Sequence, residues 1–501
     1  MNALVPLPVV MPLLGAALTL LLPRWPQVQR TISVLVLVAT LAVSAVLLVR
    51  AYQHGPLVVR LGAWSPPVGI VLVADQLAAL LLTVSAAVTL CVLLYSIGQG
   101  QGDLGEGTPV SIFHPTYLVL TAGVTNAFLA GDLFNLFVGF EILLVASYVL
   151  ITLGGTDVRI RTGSTYVVVS VLSSMILLSG VGLVYAATGT LNLAQLATRL
   201  GTLPADLALA LHLMLLLAFG VKAAVFPLAA WLPDSYPTAP APVTAVFAGL
   251  LTKVGVYAVI RTETLLFPGG QVGTLLMVVA GLTMLVGILG AVAQSDLKRL
   301  LSFTLVSHIG YMIFGVALST VAGLSGPIFY VVHHITVQTT LFLVTGLVEQ
   351  RAGGTDLRRL GGLARIAPLL AVLFFVPAMN LAGVPPFPGF LGKLGLFQAG
   401  AQVGGALPWT LVAAGALTSL LTLYTASRVW NIAFWREPRL ATADPPTRLP
   451  GLMVGSTIAL VASGVVLTLV AGPLWAVTAD AASDLHLRTP YVRAVFPGGT
   501  P

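Results

Sequence analysis

Of the 501 residues, 57% are hydrophobic and only 8% carry a charge, where soluble domains carry roughly a quarter. With a mean hydropathy of +1.01 the chain has too little polar surface for a water-soluble globule, and its one cysteine, Cys91, excludes a disulfide scaffold and any iron–sulfur or zinc site built on cysteines. The net charge of +7 rests on 23 scattered basic residues, without the dense Lys/Arg cluster that nucleic-acid phosphates require.

Apolar runs of the length that spans a bilayer, about 17–25 residues, follow one another along the chain. They lie near 3–22, 31–49, 70–97, 113–130, 133–153, 164–187, 207–232, 239–260, 272–293, 300–320, 325–348, 367–400, 408–433 and 450–476. The first lacks a basic segment before it and reads as a retained helix, not a cleaved signal. Only a tail near 477–501 is left over as polar. The expectation is an all-α integral membrane protein of about 14 transmembrane helices in one domain over 1–501, since open sheets cannot satisfy their backbone in lipid.

The connections between runs carry unequal positive charge. Odd-numbered gaps hold Arg24, Arg30, Arg159, Arg161, Lys298, Arg299, Arg351, Arg358, Arg359, Arg365, Arg428, Arg436, Arg439 and Arg448. Even-numbered gaps and the tail hold Arg50, Arg60, Arg199, Arg261, Arg488 and Arg493. The positive-inside bias puts the odd gaps in the cytoplasm and both termini on the outer face of a cell membrane.

The remaining basic residues, Lys222, Lys253 and Lys393, sit inside apolar runs. A lysine at mid-membrane costs about 2.5–3.5 kcal/mol on insertion scales. Glu141 stands eight residues into the fifth run, about 13 Å of helix beyond Asp132. His308, His333 and His334 fall near the middle of the tenth and eleventh runs. A single buried Glu–Lys pair can serve only to lock helices, and a lone histidine such as His212 suits a packing role. One acid, three lysines and three histidines at similar depth instead form a row able to pass protons. Metal binding by His333 and His334 is disfavoured, because neighbours on a helix point about 100° apart and no carboxylate stands at ligand spacing.

Two runs are interrupted. Phe226-Pro227 to Leu232-Pro233-Asp234 follows Lys222, and Gly383-Val384-Pro385-Pro386-Phe387-Pro388-Gly389 precedes Lys393. Proline removes a donor and clashes with the preceding turn, so both helices should break. A matching pair five runs apart predicts two inverted five-helix repeats, about 113–260 and 272–433, flanked by 1–97 and 450–476. In this register Glu141 corresponds to His308 and Lys222 to Lys393.

Three stretches carry a resemblance. Gly131-Asp132-Leu133-Phe134-Asn135-Leu136-Phe137-Val138 with Phe140-Glu141, the Lys222–Pro227 segment, and His333-His334 with Gln338 and Leu341-Phe342-Leu343 resemble the antiporter-like subunits. That family joins the large subunits of multisubunit (Mrp-type) cation/proton antiporters with the proton-pumping membrane subunits of respiratory complex I. The similarity runs over essentially the whole chain. The Asp-Leu-Phe-Asn-Leu stretch is similar to the Mrp branch, and the length to its D-type subunits.

The resemblance implies that Glu141 and Lys222 form the glutamate–lysine pair thought to gate proton movement. It implies that Lys253 is the lysine of the next helix, that Lys393 is the exit lysine of the second broken helix, and that His333 and His334 are the histidines of the central helix. The departure is Gln338, where the family usually has a lysine. An amide takes up no proton at ordinary pH, which leaves His308, His334 and water for the middle step.

Other signals carry no function. Gly100–Gly105 fits a dinucleotide fingerprint in letters only, since it follows a membrane helix and not a strand. No Walker loop or nucleophile elbow is present, and no cofactor is expected. Arg428 and Trp430 read as interfacial anchors. The leading expectation is a proton-translocating subunit of a monovalent cation (Na+)/proton antiporter, working with other membrane subunits in the bilayer. A proton-pumping subunit of a respiratory oxidoreductase is the alternative, and a non-conducting scaffold the third class.

Overall fold

The computed structural model describes residues 2–64, 66–100, 110–437 and 449–497. Helices α1 (Leu7–Leu21) and α2 (Pro26–His54) lead into an antiparallel hairpin, β1 (Leu57–Arg60) and β2 (Val71–Ala74), with Leu57 opposite Ala74. Helices α3 (Gln76–Gln99), α4 (Val110–Leu129), α5 (Leu133–Thr152), α6 (Asp157–Thr188), α7 (Leu193–Arg199) and α8 (Ala205–Ala223) follow. After the short α9 (Leu232–Ser235) come α10 (Ala241–Val246) and α11 (Thr252–Arg261), joined through a π-turn at Phe247–Leu251. The rest of the chain forms α12 (Gly273–Val292), α13 (Leu297–Ala317), α14 (Val321–Ala352), α15 (Leu363–Ile366), α16 (Pro368–Ala382), α17 (Pro388–Val403), α18 (Ala406–Val429), α19 (Gly451–Leu469), α20 (Ala471–Leu487) and α21 (Thr489–Val495).

Among the described residues, 12 helical stretches are long and apolar enough to cross a membrane. The other two expected runs are filled by α4 and by α16 with α17. The run expected from residue 70 opens as strand β2. The expected polar tail is largely helical: Thr478, Ala481, Ala482 and Leu485 form one buried stripe of α20 against α14 and α3. Most of Gly100–Gly105, like Arg439 and Arg448, lies outside the described residues.

The middle of the bundle is α14. Its whole apolar window is buried, as is that of the Ala241–Leu266 stretch, against 28% in α2. Polar side chains on α14 are therefore held away from lipid by a complete shell of other helices.

Both interrupted helices end where proline chemistry requires. α8 stops at Ala223 and α16 at Ala382, each four residues ahead of a proline, Pro227 and Pro386. The proline ring presses on the carbonyl four residues back; Pro327 and Pro377 are carried inside α14 and α16, but here the left-handed residues after Ala223 and Ala382 complete the break. The chain turns through left-handed residues, Ala224 (φ 57°) and Gly383 (φ 85°). Gly255 lets α11 cross α8 at this point, since a Cβ there would lie 2.5 Å from the Ala223 nitrogen.

Two pieces of the chain share one internal geometry. Leu133 N–H donates to Leu191 O and Leu193 N–H to Gly131 O. Leu297 N–H likewise donates to Thr355 O, and Leu357 N–H to Ser295 O. Each residue of the second set stands 164 positions after its counterpart in the first. Asp132 and Asp296 cap α5 and α13, and α6 and α14, both 32 residues long, start from capping threonines, Thr156 and Thr320. At this offset Glu141 aligns with Leu305, so His308 lies three residues deeper, close to one turn. The break prolines align 159 positions apart and bring Lys222 onto Leu381. Lys393 enters from the far side of its break.

Candidate functional site

α5, α6 and α8 converge on a charged trio. Ser174 Oγ donates to Glu141 Oε1 through a short hydrogen bond, and Lys222 Nζ donates to Ser174 Oγ at 3.1 Å. The serine thus passes hydrogen-bond polarity from ammonium to carboxylate, the sense that opposite charges favour. The Lys222 ammonium also sits 4.9 Å above the Phe140 ring, a cation–π contact. Beside it lies a cavity of about 20 Å³ lined by Tyr166, Ser170, Ser173 and Trp231, large enough for one water. Sequence reasoning found Glu141 and Lys222 and missed Ser174, because a serine in an apolar helix carries no signal of its own.

Lys253 is fully buried on α11. Its Nζ donates to Ala248 O at 2.5 Å, within the π-turn Phe247–Leu251. A π-turn departs from the regular i to i−4 bonding and leaves carbonyls for other donors. Among the described residues the ammonium therefore has a carbonyl for a partner and no carboxylate.

The second half gathers around α14. His308 Nδ1 lies 2.6 Å from Tyr330 Oη, and its Nε2 lies 3.4 Å from Thr422 Oγ1. The rings of His308 and His334 are 5.4 Å apart. Tyr311 meets the His308 ring edge-on, and Lys393 Nζ stands 5.1 Å above the Tyr311 ring. Lys393 Nζ further donates to Leu381 O and Ala382 O, both at 3.0 Å. These are C-terminal carbonyls of α16, left free by the break and at the negative end of that helix. The break supplies the partner for the lysine.

Three expected residues sit differently from one another. His333 faces α17 at Gly389 and its Nε2 finds no partner among the described residues, while His334 faces His308 with both ring nitrogens unpartnered. Gln338 does not bond to His334. Its Nε2 donates to Leu301 O at 2.9 Å, tying α14 to α13, and its Oε1 has no protein partner among the described residues. Tyr330 was missed, although four residues before His334 places it on the same face.

A further buried network stands at the other end of α11. Arg261 donates to Asp75 Oδ1 at 2.6 Å and to Tyr257 Oη at 3.0 Å, under the Tyr491 ring from α21. His212 Nε2 lies 2.5 Å from Glu263 Oε1. Arg261 is therefore a buried paired residue inside a helical stretch and does not belong among loop charges. The sequence could not pair it, because Asp75 is distant in the chain. Arg428 also departs from expectation: it donates to Val292 O and Gln294 O through short hydrogen bonds, capping α12. Trp430 packs between Phe375 and Phe434. At the start of α5, burial pushes the Asp132 carboxyl up to about 6, against hydrogen bonds from backbone N–H groups that pull it down.

The chain is similar to known proteins over most of its length. Residues 130–422 match the family model described as NADH:quinone oxidoreductase/Mrp antiporter, transmembrane. The D subunit of the Na(+)/H(+) antiporter of Alkalihalophilus pseudofirmus is 39% identical over 499 residues, covering 99% of this chain and 100% of the relative. Among solved structures, a chain of the Mrp complex from Dietzia sp. superposes with a TM-score of 0.91 at 32% identity, over 99% of this chain and 100% of that one. A chain of the membrane-bound sulfane sulfur reductase, an archaeal respiratory membrane complex, gives 0.87 at 27% identity over 99% and 100%.

Proposed function

Because the chain belongs to the NADH:quinone oxidoreductase/Mrp antiporter family, we propose that it is the proton-translocating subunit of a multisubunit monovalent cation (Na+)/proton antiporter. In this reading it spans the cell membrane 14 times, with both termini outside and two inverted repeats at about 113–260 and 272–433. The common 164-residue offset supports the repeats. The observation that carries the function is the Lys222–Ser174–Glu141 contact at membrane depth. An ammonium and a carboxylate joined by one hydroxyl form a pair whose separation changes the proton affinity of both.

The proton row runs from Glu141 and Lys222 to Lys253, then through His334 and His308 to Lys393, with His333 at its side. Gln338 holds α14 against α13 and contributes an amide where no proton can be stored. Other membrane subunits complete the cation path. The respiratory reading shares the proton row and differs in its energy source, and the greater identity to antiporter subunits favours the first.

Inverted vesicles holding the assembled complex test both. Adding sodium should dissipate an imposed pH gradient, and Glu141→Ala should remove that response while assembly persists. A gradient insensitive to every monovalent cation sinks the antiporter reading. Full exchange by an assembled Glu141→Ala complex sinks the proton row and leaves the scaffold.

A further inference from the structure

Two adjoining hollows lie where the end of α14, the 359–366 segment with α15, the helix α16 and the end of α18 meet. One, about 450 Å³, is walled by Arg351, Arg359 and Arg365, with Glu437 and Trp435 on its rim. The other, about 740 Å³, is a lateral groove between α16 and α18, lined by Val372, Phe375, Met379, Ser427, Trp430 and Trp435. Trp435 belongs to both. Val372, Phe375 and Met379 stand at i, i+3 and i+7 of α16, so the groove runs about 10 Å along that helix away from the arginines.

We propose that these hollows are one binding site for an anionic phospholipid, with its headgroup among the arginines and an acyl chain in the groove. Arg351 already donates to Ile366 O, so the exposed pair Arg359 and Arg365 supplies the anion site, and Arg fits phosphate oxygens in two-point geometry. The groove beside it is apolar and opens sideways toward lipid: Val372 is 56% and Phe375 43% exposed. Trp430 and Trp435 stand at the end of α18, and indole rings at helix ends favour the headgroup level. Basic pockets between membrane helices are the ordinary receptors for such lipids. The π-turn at Trp430–Trp435 re-aims the last turn of α18 and leaves Trp435 70% exposed between the hollows.

The site is separate from the proton row and is tested on the purified complex. Delipidated complex is titrated with phosphatidylglycerol and with phosphatidylcholine, and glycerophosphoglycerol serves as a soluble competitor. Phosphatidylglycerol should bind in preference, and Arg359→Gln with Arg365→Gln should weaken it about thirtyfold, near the sum expected for two surface arginines. Both arginines are exposed, so the variant tests binding without disturbing the core. Val372→Trp should weaken the same lipid with every charge in place. Equal binding by the arginine variant overturns the proposal. So does competition by the soluble headgroup as strong as by the lipid, which leaves only an anion site. A photocrosslinker at position 375 that captures another subunit and no lipid overturns it as well, since a partner helix then fills the groove.

Discussion

The two halves meet the same problem, a lysine inside a membrane helix bundle, with different chemistry. In the first half Lys222 reaches a carboxylate through Ser174. In the second half Lys393 docks on two carbonyls of a broken helix and faces an aromatic ring. At the 164-residue offset Ser174 aligns with Gln338, Ser170 with His334 and Tyr166 with Tyr330. The tyrosines are buried in both, whereas the polar side chains beside them differ. A carboxylate partner can be neutralised by one proton. A helix end cannot, and it stays a partner for the lysine whatever the pH. Under the proposed function, the first pair responds directly to protonation of its carboxylate, and Lys393 responds through its neighbours.

The strongest way to break this contrast is to remove one member of the first pair. Glu141→Ala or Lys222→Ala should lower sodium/proton exchange at least ~100-fold in vesicles, because each leaves its partner, the buried Lys222 or the half-buried Glu141, without the opposite charge it cycles against. Exchange within twofold of the parent would show that the pair only holds helices together.

In the second half, His334→Ala should slow exchange by ~10–100-fold, the range typical of losing a proton-transfer group. Gln338→Lys added to it should recover part of the rate, because it restores a titratable group one turn away. Unaltered exchange by the single variant would mean that protons bypass His334.

Ser174→Ala isolates the bridge. Hydrogen bonds to charged groups are worth about 1.5–3 kcal/mol, so exchange should fall about tenfold, less than loss of either charge. Gln338→Ala, at the aligned position, should instead lower thermal stability, since Leu301 O loses its donor. Equal transport defects in the two variants would erase the distinction between the halves.

The smallest effect is expected outside the bilayer core. Burial raises Asp132 from 3.8 to about 6, so its contribution to stability is complete below pH 4 and is lost as pH rises through 6. Asp132→Asn keeps the cap and removes the charge. Its unfolding temperature should exceed that of the parent by about 1–3 °C at pH 8 and match it near pH 4. A lower value at pH 8 would mean that the charge itself holds the start of α5.

Features that depend on a few neighbouring residues were legible in the sequence. Hydropathy marked the membrane class, because a helix in lipid must be apolar along its own length. Pro227 and Pro386 marked the breaks, because the clash reaches only four residues back. Lys222, Lys253, Lys393 and Glu141 stood out because charge is rare in such runs. Pairing was not legible. Ser174 became a bridge and Gln338 a tie to α13 only once α6 and α14 packed. Arg261, which reads as a loop charge, found Asp75 across 186 positions. The correspondence of Lys222 with Lys393 was off as well, since Lys393 reaches the carbonyl of Leu381, the residue aligned with Lys222, from beyond the break. Spacing along a chain reports on turns and faces, whereas the partner of a buried charge is chosen by whichever distant helix brings an acceptor within hydrogen-bond reach.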